Sequence, residues 1–274
     1  MTTMLVQLSD PHIREPGRLA YGRIETAPYL AQAVASIGRL RQRPDAVVVT
    51  GDLTDFGRAQ EYRHLQQLLA PLAMPVYLLA GNHDDREQLR RSFPDHAYLG
   101  SGGFVQYSVA VGGLQLIALD TVVPGESEGR LCDERLQWLS EQLDAQHDRP
   151  VVIAMHHPPF QTLIGHMDAI GLLEGAAELE ALVAQHPNVE RIICGHLHRA
   201  IQMRFGGTIA ATVPSPAHQI CLDLAPDAAS LWTLEPPGFG LHALPAGGRL
   251  VSHTVASGSF DGGYPFHDGG QLID

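Results

Sequence analysis

The sequence predicts an α/β protein with two mixed sheets, and three observations carry that expectation. From Met4 to Ala80, apolar runs of strand length alternate with helix-spaced stripes. This βαβαβ rhythm implies a parallel sheet with right-handed crossovers. Strand-like runs here and further on end in polar motifs rich in Asp, Asn and His, and the carboxyl ends of strands are where α/β sheets collect ligands. A Gly-Gly hairpin then introduces antiparallel pairing, after which the strand and helix plan repeats.

Met4 to Leu8 is a short apolar strand leading into Ser9-Asp10-Pro11-His12, and the segment to Tyr21-Gly22 reads as a loop. Thr26 is placed to cap a helix reaching Arg41, with Leu30, Val34, Ile37 and Leu40 on one face. Ala46 to Val49, Val-rich and bounded by Pro44 and Gly51, reads as a buried strand. Asp52 emerges from it in Thr50-Gly51-Asp52-Leu53-Thr54-Asp55. Tyr62, Leu65, Leu69 and Leu72 make the stripe of a second helix, and Pro75 introduces the strand Val76 to Ala80. That strand delivers Gly81-Asn82-His83-Asp84, and Asp85 with Gln88 has capping-box spacing for a short helix to Phe93. Phe104 to Val111 and Leu114 to Leu119, joined by Gly112-Gly113, predict a hairpin.

Leu136, Leu139 and Leu143 mark a helix, and the strand Val151 to Met155 runs into His156-His157-Pro158-Pro159. A helix through Leu179, Leu182 and Val183 precedes the strand Arg191 to Cys194 and Gly195-His196-Leu197-His198. Further strands are expected at Gln202 to Phe205, Thr208 to Thr212, Gln219 to Leu224 and Ser230 to Leu234. Residues 1–234 are expected to form one domain. From Glu235 the composition shifts to Gly, Pro and aromatics, so 235–274 reads as a C-terminal extension. Leu241 to Leu244 and Leu250 to Val255 suggest a hairpin there, and Ser257 to Asp274 has too little periodic apolar content to fold alone. A lid or an oligomerisation arm fits that tail, and a homo-oligomer is expected.

At 274 residues and 45% hydrophobic, the chain can bury the core of one large domain. A net charge of −12 argues against nucleic-acid polymers and anionic membranes as partners. All 18 basic residues are Arg. The absence of Lys excludes a P-loop lysine, a Schiff base and a Ser-Lys nucleophile pair, which leaves metal ions as the favoured source of local positive charge. Cys132, Cys194 and Cys221 are odd in number and widely spaced, so neither a disulfide framework nor a Cys-based zinc site is indicated. The first ten residues lack a basic leader pattern, and no apolar run approaches the roughly 20 residues that span a bilayer. A cytoplasmic location is expected.

The histidines, 15 in all, are the informative residues. Taken singly, Asp10, Asp52 and Asn82 suit turns, and His12 suits a surface loop. His156-His157 at a strand end has no evident use in a core, and His196 and His198, two apart, share one face of an extended chain. Together these residues supply imidazoles, an amide oxygen and carboxylates for two metal ions, with Asp52 as the shared bridge. His64, His96, His147, His186 and His242 read as solvated or internally satisfied, and Trp138 and Trp232 as core.

In this order, Asp10-Pro11-His12, Gly51-Asp52, Gly81-Asn82-His83-Asp84, His156-His157 and Gly195-His196-Leu197-His198 resemble the five signatures of the calcineurin-like metallophosphoesterase superfamily. Leu19-Ala20-Tyr21-Gly22 and Pro214-Ser215-Pro216-Ala217-His218-Gln219 resemble further parts of one branch, the bacterial class III cyclic-nucleotide phosphodiesterases and related glycerophosphodiesterases. The resemblance covers about Met4 to Leu224. It implies a four-layer α/β/β/α sandwich. It also implies two divalent transition-metal ions (Fe, Mn, Zn or Co), one held by Asp10, His12, Asp52 and His198 and the other by Asp52, Asn82, His156 and His196. His83 would be a catalytic non-ligand beside the leaving group or a phosphoryl oxygen, and Tyr21 and His218, with Asn82 and His83, would meet the substrate. Pro11 between Asp10 and His12 departs mildly from the pattern, fixing local φ without displacing either ligand.

The implied activity is hydrolysis of small phosphodiesters, such as 3',5'-cyclic nucleotides or glycerophosphodiesters, by a metal-bound hydroxide. Alternatives on the same site are a phosphomonoesterase or protein phosphatase, and a non-catalytic scaffold, which the complete ligand set disfavours. Gly125-Glu126-Ser127-Glu128-Gly129 matches the nucleophile elbow of serine hydrolases, but the strand-turn-helix context is missing, so Ser127 is left to the pocket rim.

Overall fold

A computed structural model describes residues 2–268 and 270–273. Met1, in the expected main domain, and Gly269 and Asp274, in the expected extension, lie outside the described residues. The chain begins β1 (Thr3–Leu8), α1 (Ala27–Gly38), β2 (Ala46–Thr50), α2 (Ala59–Leu69), β3 (Val76–Leu79) and α3 (Arg86–Ser92). It continues β4 (Tyr107–Val111), β5 (Leu114–Leu119), α4 (Asp133–Ala145), β6 (Val151–Met155), α5 (Ala176–Ala184) and β7 (Val189–Cys194). Then come β8 (Gln202–Phe205), β9 (Thr208–Thr212), β10 (Gly238–Leu244) and β11 (Val251–Ala256), followed by a short antiparallel pair of His267–Asp268 with Gln271–Leu272.

Strands β1 to β11 make two mixed sheets, ordered β11-β10-β1-β2-β3 and β8-β9-β7-β6-β5-β4. β1, β2 and β3 are parallel, as the crossover helices require, and β5, β6, β7 and β9 are likewise parallel. β4 and β8 add antiparallel edges. The two-residue period of a strand sorts its side chains into layers. In the first sheet Val6, Leu8, Val47 and Val49 pack with Leu30, Ile37 and Leu65 of the helices. Leu5, Val48 and Leu79 instead meet Leu116, Ala118, Val152 and Ile193 of the second sheet. Ile117, Ile153 and Ile192 on the far face of that sheet pack with Leu139, Leu143 and Leu179 of α4 and α5. The result is the α/β/β/α sandwich, with both sheets opening their carboxyl ends at one edge.

Local signals hold where side chains decide them. Asp85 accepts a hydrogen bond from the Gln88 amide and starts α3. Thr26 occupies the N-cap position of α1, but its hydroxyl donates to the His12 carbonyl instead of capping the helix, tying α1 to the loop after β1. The helix ends at Gly38, short of Arg41. The strands expected over 219–224 and 230–234 shrink to Gln219–Ile220 pairing Trp232–Thr233. Leu222, Leu224, Leu231 and Leu234 are exposed, so their alternation has no core to face.

The hairpin after Glu235 joins the main sheet. β10 pairs antiparallel with β1 from Thr3↔Leu244 to Gln7↔Gly240, and Phe239 is fully buried in the helix-side core. The residues after Ser257 carry Phe260, Tyr264 and Phe266 exposed. No helix among the described residues is long and apolar enough to cross a membrane.

Candidate metal centre

The carboxyl ends of β1, β2 and β3 carry Asp10 and His12, Asp52, and Asn82 and His83. Those of β6 and β7 carry His156, and His196 and His198. The two sheets therefore each contribute part of one cluster, whose carboxylates and imidazoles are buried apart from the partly exposed His83 ring. Asp10, His12, Asp52, His196 and His198 are five of the seven non-glycine residues with positive φ among the described residues. Such backbone costs about 1–3 kcal/mol each and persists where surrounding structure enforces it, which happens chiefly at functional sites.

Asp52 sits between the two halves. Its Oδ1 lies 3.4 Å from His156 Nε2 and accepts the His83 amide at 3.0 Å. Its Oδ2 lies 3.5 Å from His12 Nε2. On one side His12 Nε2 is 3.2 Å from His198 Nε2, which is 3.6 Å from Asp10 Oδ1. On the other, His156 Nε2 is 3.1 Å from Asn82 Oδ1. His196 Nε2 is buried without a hydrogen-bond partner.

Tautomers follow from the outer contacts. His156 Nδ1 donates to the Thr50 carbonyl at 2.8 Å, and His198 Nδ1 to the His218 carbonyl at 2.9 Å. Their Nε2 atoms are thereby left to face the cluster, the arrangement by which backbone carbonyls orient metal-binding imidazoles. Asp10 is fixed by the His196 amide, at 2.9 Å to Oδ1.

The donors perturb one another's ionisation. Burial opposes charge on His156, yet the Asp52 and Asp10 carboxylates raise it to about 9. Burial also opposes ionisation of Asp52, but the charges of His156 and His83 hold it well below the usual carboxylate range. Burial lowers His196 to about 3, helped by His156, and lowers His198 to about 4 against the pull of Asp10. The ionised Asp52 carboxylate thus faces the free lone pairs of His196 and His198, and with Asp10, His12, Asn82 and His156 beside them this is a donor set that fits divalent metals.

The predicted pocket residues fall around this centre. His83 Nδ1 meets the Asp55 carbonyl at 2.9 Å, and its ring stands edge-on to His12 at 4.7 Å. His218 lies 4.6 Å from His198 and 5.1 Å from Tyr21, measured between ring centroids. Trp232, expected in the core, packs partly buried against Ala20, Ile24 and Ala217 and stands 5.6 Å from His218 and 5.8 Å from Tyr21, joining the aromatic group beside the centre. The pairing of Ile220 with Trp232 brings the ring beside His218.

Ser127 is in a loop followed by the two-residue strand Gly129–Arg130, not a helix, and its carbonyl accepts from His157 Nε2 at 3.1 Å. His157 also contacts Thr121 Oγ1 at 2.7 Å through Nδ1, so both its nitrogens are taken and it braces that loop.

Sequence reasoning missed Asp84 and Asp55. Asp84 accepts the Gly81 and Leu53 amides and the Tyr62 hydroxyl, at 2.9, 3.0 and 2.9 Å, locking the β2 and β3 loops together. Burial and the nearby Asp52 charge raise it to about 6. Asp55 takes Arg14 at 3.2 Å and stands 3.4 Å from His12 Nδ1. Both close polar motifs already quoted, which was the available signal.

Comparison with known proteins agrees with this geometry. The family model for calcineurin-like phosphoesterases matches residues 4–200. A probable glycerophosphodiester phosphodiesterase, GpdQ, of Arcobacter nitrofigilis is 36% identical over 272 residues, covering 99% of this chain and 100% of that one. The 3',5'-cyclic adenosine monophosphate phosphodiesterase CpdA of Pseudomonas aeruginosa is 32% identical, covering 91% of this chain and 88% of its own. The crystal structure of a dimetal phosphatase from Danio rerio shares the fold, with a TM-score of 0.62 at 18% identity over 93% of this chain and 99% of that one. With its family model spanning the whole run of site motifs from Asp10 to His198, the chain belongs to the calcineurin-like phosphoesterases.

Proposed function

We propose that this protein is a binuclear metal-dependent phosphodiesterase acting on small diesters, with 3',5'-cyclic nucleotides and glycerophosphodiesters as the substrate classes. The observation that carries this reading is the placement of Asp52, with one carboxylate oxygen toward His156 and the other toward His12. Asp10, His12, Asp52 and His198 would hold one ion, and Asp52, Asn82, His156 and His196 the other, drawn from Fe, Mn, Zn or Co. When bound, such a pair neutralises charge on the phosphoryl oxygens and lowers the pKa of water.

The chain's own residues supply the remainder. The Thr50 and His218 carbonyls fix the ring orientation of His156 and His198. His83, held through Nδ1 by the Asp55 carbonyl, presents its other nitrogen to the leaving oxygen, where in the imidazolium form it donates a hydrogen bond or a proton. Tyr21, His218 and Trp232 form an aromatic wall that suits the organic part of a diester. Two relatives matched over most of their lengths are named for those two substrate classes, which supports them here. The exposed Phe260, Tyr264 and Phe266 support an oligomerisation arm, and a monomeric hydrodynamic mass would remove that part of the reading.

The test is a panel of aryl diesters, aryl monoesters, cyclic AMP and glycerophosphodiesters, run on protein of measured metal content. Turnover of diesters that chelation abolishes and metal restores is expected. Preferential turnover of monoesters would move the assignment to a phosphomonoesterase, and turnover indifferent to chelation would sink the metal mechanism.

A further inference from the structure

Gln7 lies directly beneath the centre. It is fully buried and shares the β1 face of Leu5, which points into the layer between the sheets. Its Nε2 donates to Thr50 Oγ1 at 3.0 Å and to the Cys194 carbonyl at 2.9 Å. Thr50 ends β2 in the first sheet and Cys194 ends β7 in the second. One amide therefore ties together the strand ends that release Asp52 and His196, each two residues further on.

The same Thr50 extends the connection. Its carbonyl accepts His156 Nδ1, and its hydroxyl donates to Ser9 Oγ at 2.7 Å, next to Asp10. The orientation of the amide is also determined. Gln7 Oε1 accepts from His242 Nε2 at 3.2 Å, while His242 Nδ1 accepts from the Ser252 hydroxyl at 2.7 Å. With His242 in that tautomer, only one rotamer of the Gln7 amide satisfies all three partners. His242 and Ser252 belong to β10 and β11, so the C-terminal hairpin reaches the site through a chain of hydrogen bonds.

We infer that Gln7 is a positioning residue that sets the spacing of the two half-sites, its amide held in place by His242 of the C-terminal hairpin. The inference rests on the ligand assignment proposed above. Apolar contact between the sheets is non-directional, and it tolerates sliding that a metal site does not. A hydrogen bond from one sheet to the other supplies the missing direction. Partners that orient ligands from behind are worth about 10- to 100-fold in metal affinity.

The experiment compares wild type, Gln7→Met and Asp52→Ala as metal-free proteins titrated with Mn2+ against a competing chelator, with amide hydrogen exchange followed in parallel. Gln7→Met keeps length and removes the amide. It is expected to bind Mn2+ about 10- to 100-fold more weakly with an unchanged near-UV circular dichroism spectrum, and to exchange faster over residues 48–54 and 192–198 but not in α4. Should Gln7→Met not fold, Gln7→Asn retains the buried amide but is a methylene too short to span to Cys194, and the same losses are expected. Wild-type affinity and wild-type exchange in either folded variant would overturn the inference while leaving the metal reading intact. Wild-type protein that binds no Mn2+, like Asp52→Ala, would overturn the metal reading and this inference with it.

Discussion

The Nε2 atoms of His12 and His198, 186 residues apart in sequence, face each other at 3.2 Å. His198 has committed Nδ1 to the His218 carbonyl, so its lone pair is on the facing nitrogen. Burial opposes charge on His12, but Asp55, Asp52 and Asp10 raise its pKa above the usual value, and a proton or a metal ion must sit between the rings. If metal ions take that place and its counterpart at His156, the seven donors divide as proposed. Asp52→Ala then loses both ions, whereas His198→Ala and Asn82→Ala each lose mainly one. Metal analysis after dialysis checks this, and equal losses from all three would show the division to be wrong.

His83 touches the cluster through its amide, at 3.0 Å from Asp52 Oδ1, and through its ring beside His12. A side-chain substitution spares the amide contact. His83→Ala is therefore expected to keep normal metal content and lose roughly 100-fold in diester turnover. The loss should shrink for diesters with good leaving groups, which need no proton. Unchanged turnover with alkyl leaving groups would refute the role.

Gly51 has φ of +93°, and a Cβ there would run into the His156 ring, 2.8 Å from Cγ, and 2.9 Å from the Gly81 Cα. The conformation alone disfavours an L side chain. Gly51→Ala is expected to cost about 2 kcal/mol or more in urea unfolding, by strain and overpacking. It should also displace His156 and weaken metal binding. A stable variant with wild-type metal content would contradict the close packing described.

His242 is buried, and burial, with the charge of Arg191 second, lowers it to about 3. An unfolded chain protonates this residue near pH 6.5. Between those values the unfolded state binds the extra proton, so stability falls as pH falls through the window and is fully present above it. From pH 6.5 to 5 the expected loss is about 2 kcal/mol from this residue. His242→Asn removes the titration, so its stability, though lower at pH 7, should decline less over that range. Parallel urea-derived profiles for the two proteins would contradict this.

How much was legible in the sequence follows the range of the interactions concerned. Asp10, His12, Asp52, Asn82, His156, His196 and His198, which the fold gathers at one edge, are legible as candidates because each follows a strand whose apolar run is local and easily read. Thr208 to Thr212 and Val151 to Met155 were placed to the residue for the same reason. The place of Trp232 beside His218 was not legible because it depends on Gln219–Ile220 returning beside it, and Leu222 to Leu234 mimic a buried alternation without a sheet to bury it.

Periodicity and residue types at short spacing were enough to read the α/β class, the strand ends and the candidate donors from the chain alone. The folded molecule was needed to assign each donor to its sheet, to set β10 beside β1 and to span Gln7 from Thr50 to Cys194. Those are contacts between segments remote in sequence, fixed by side-chain packing and hydrogen-bond geometry in three dimensions, and no local pattern of residues encodes them.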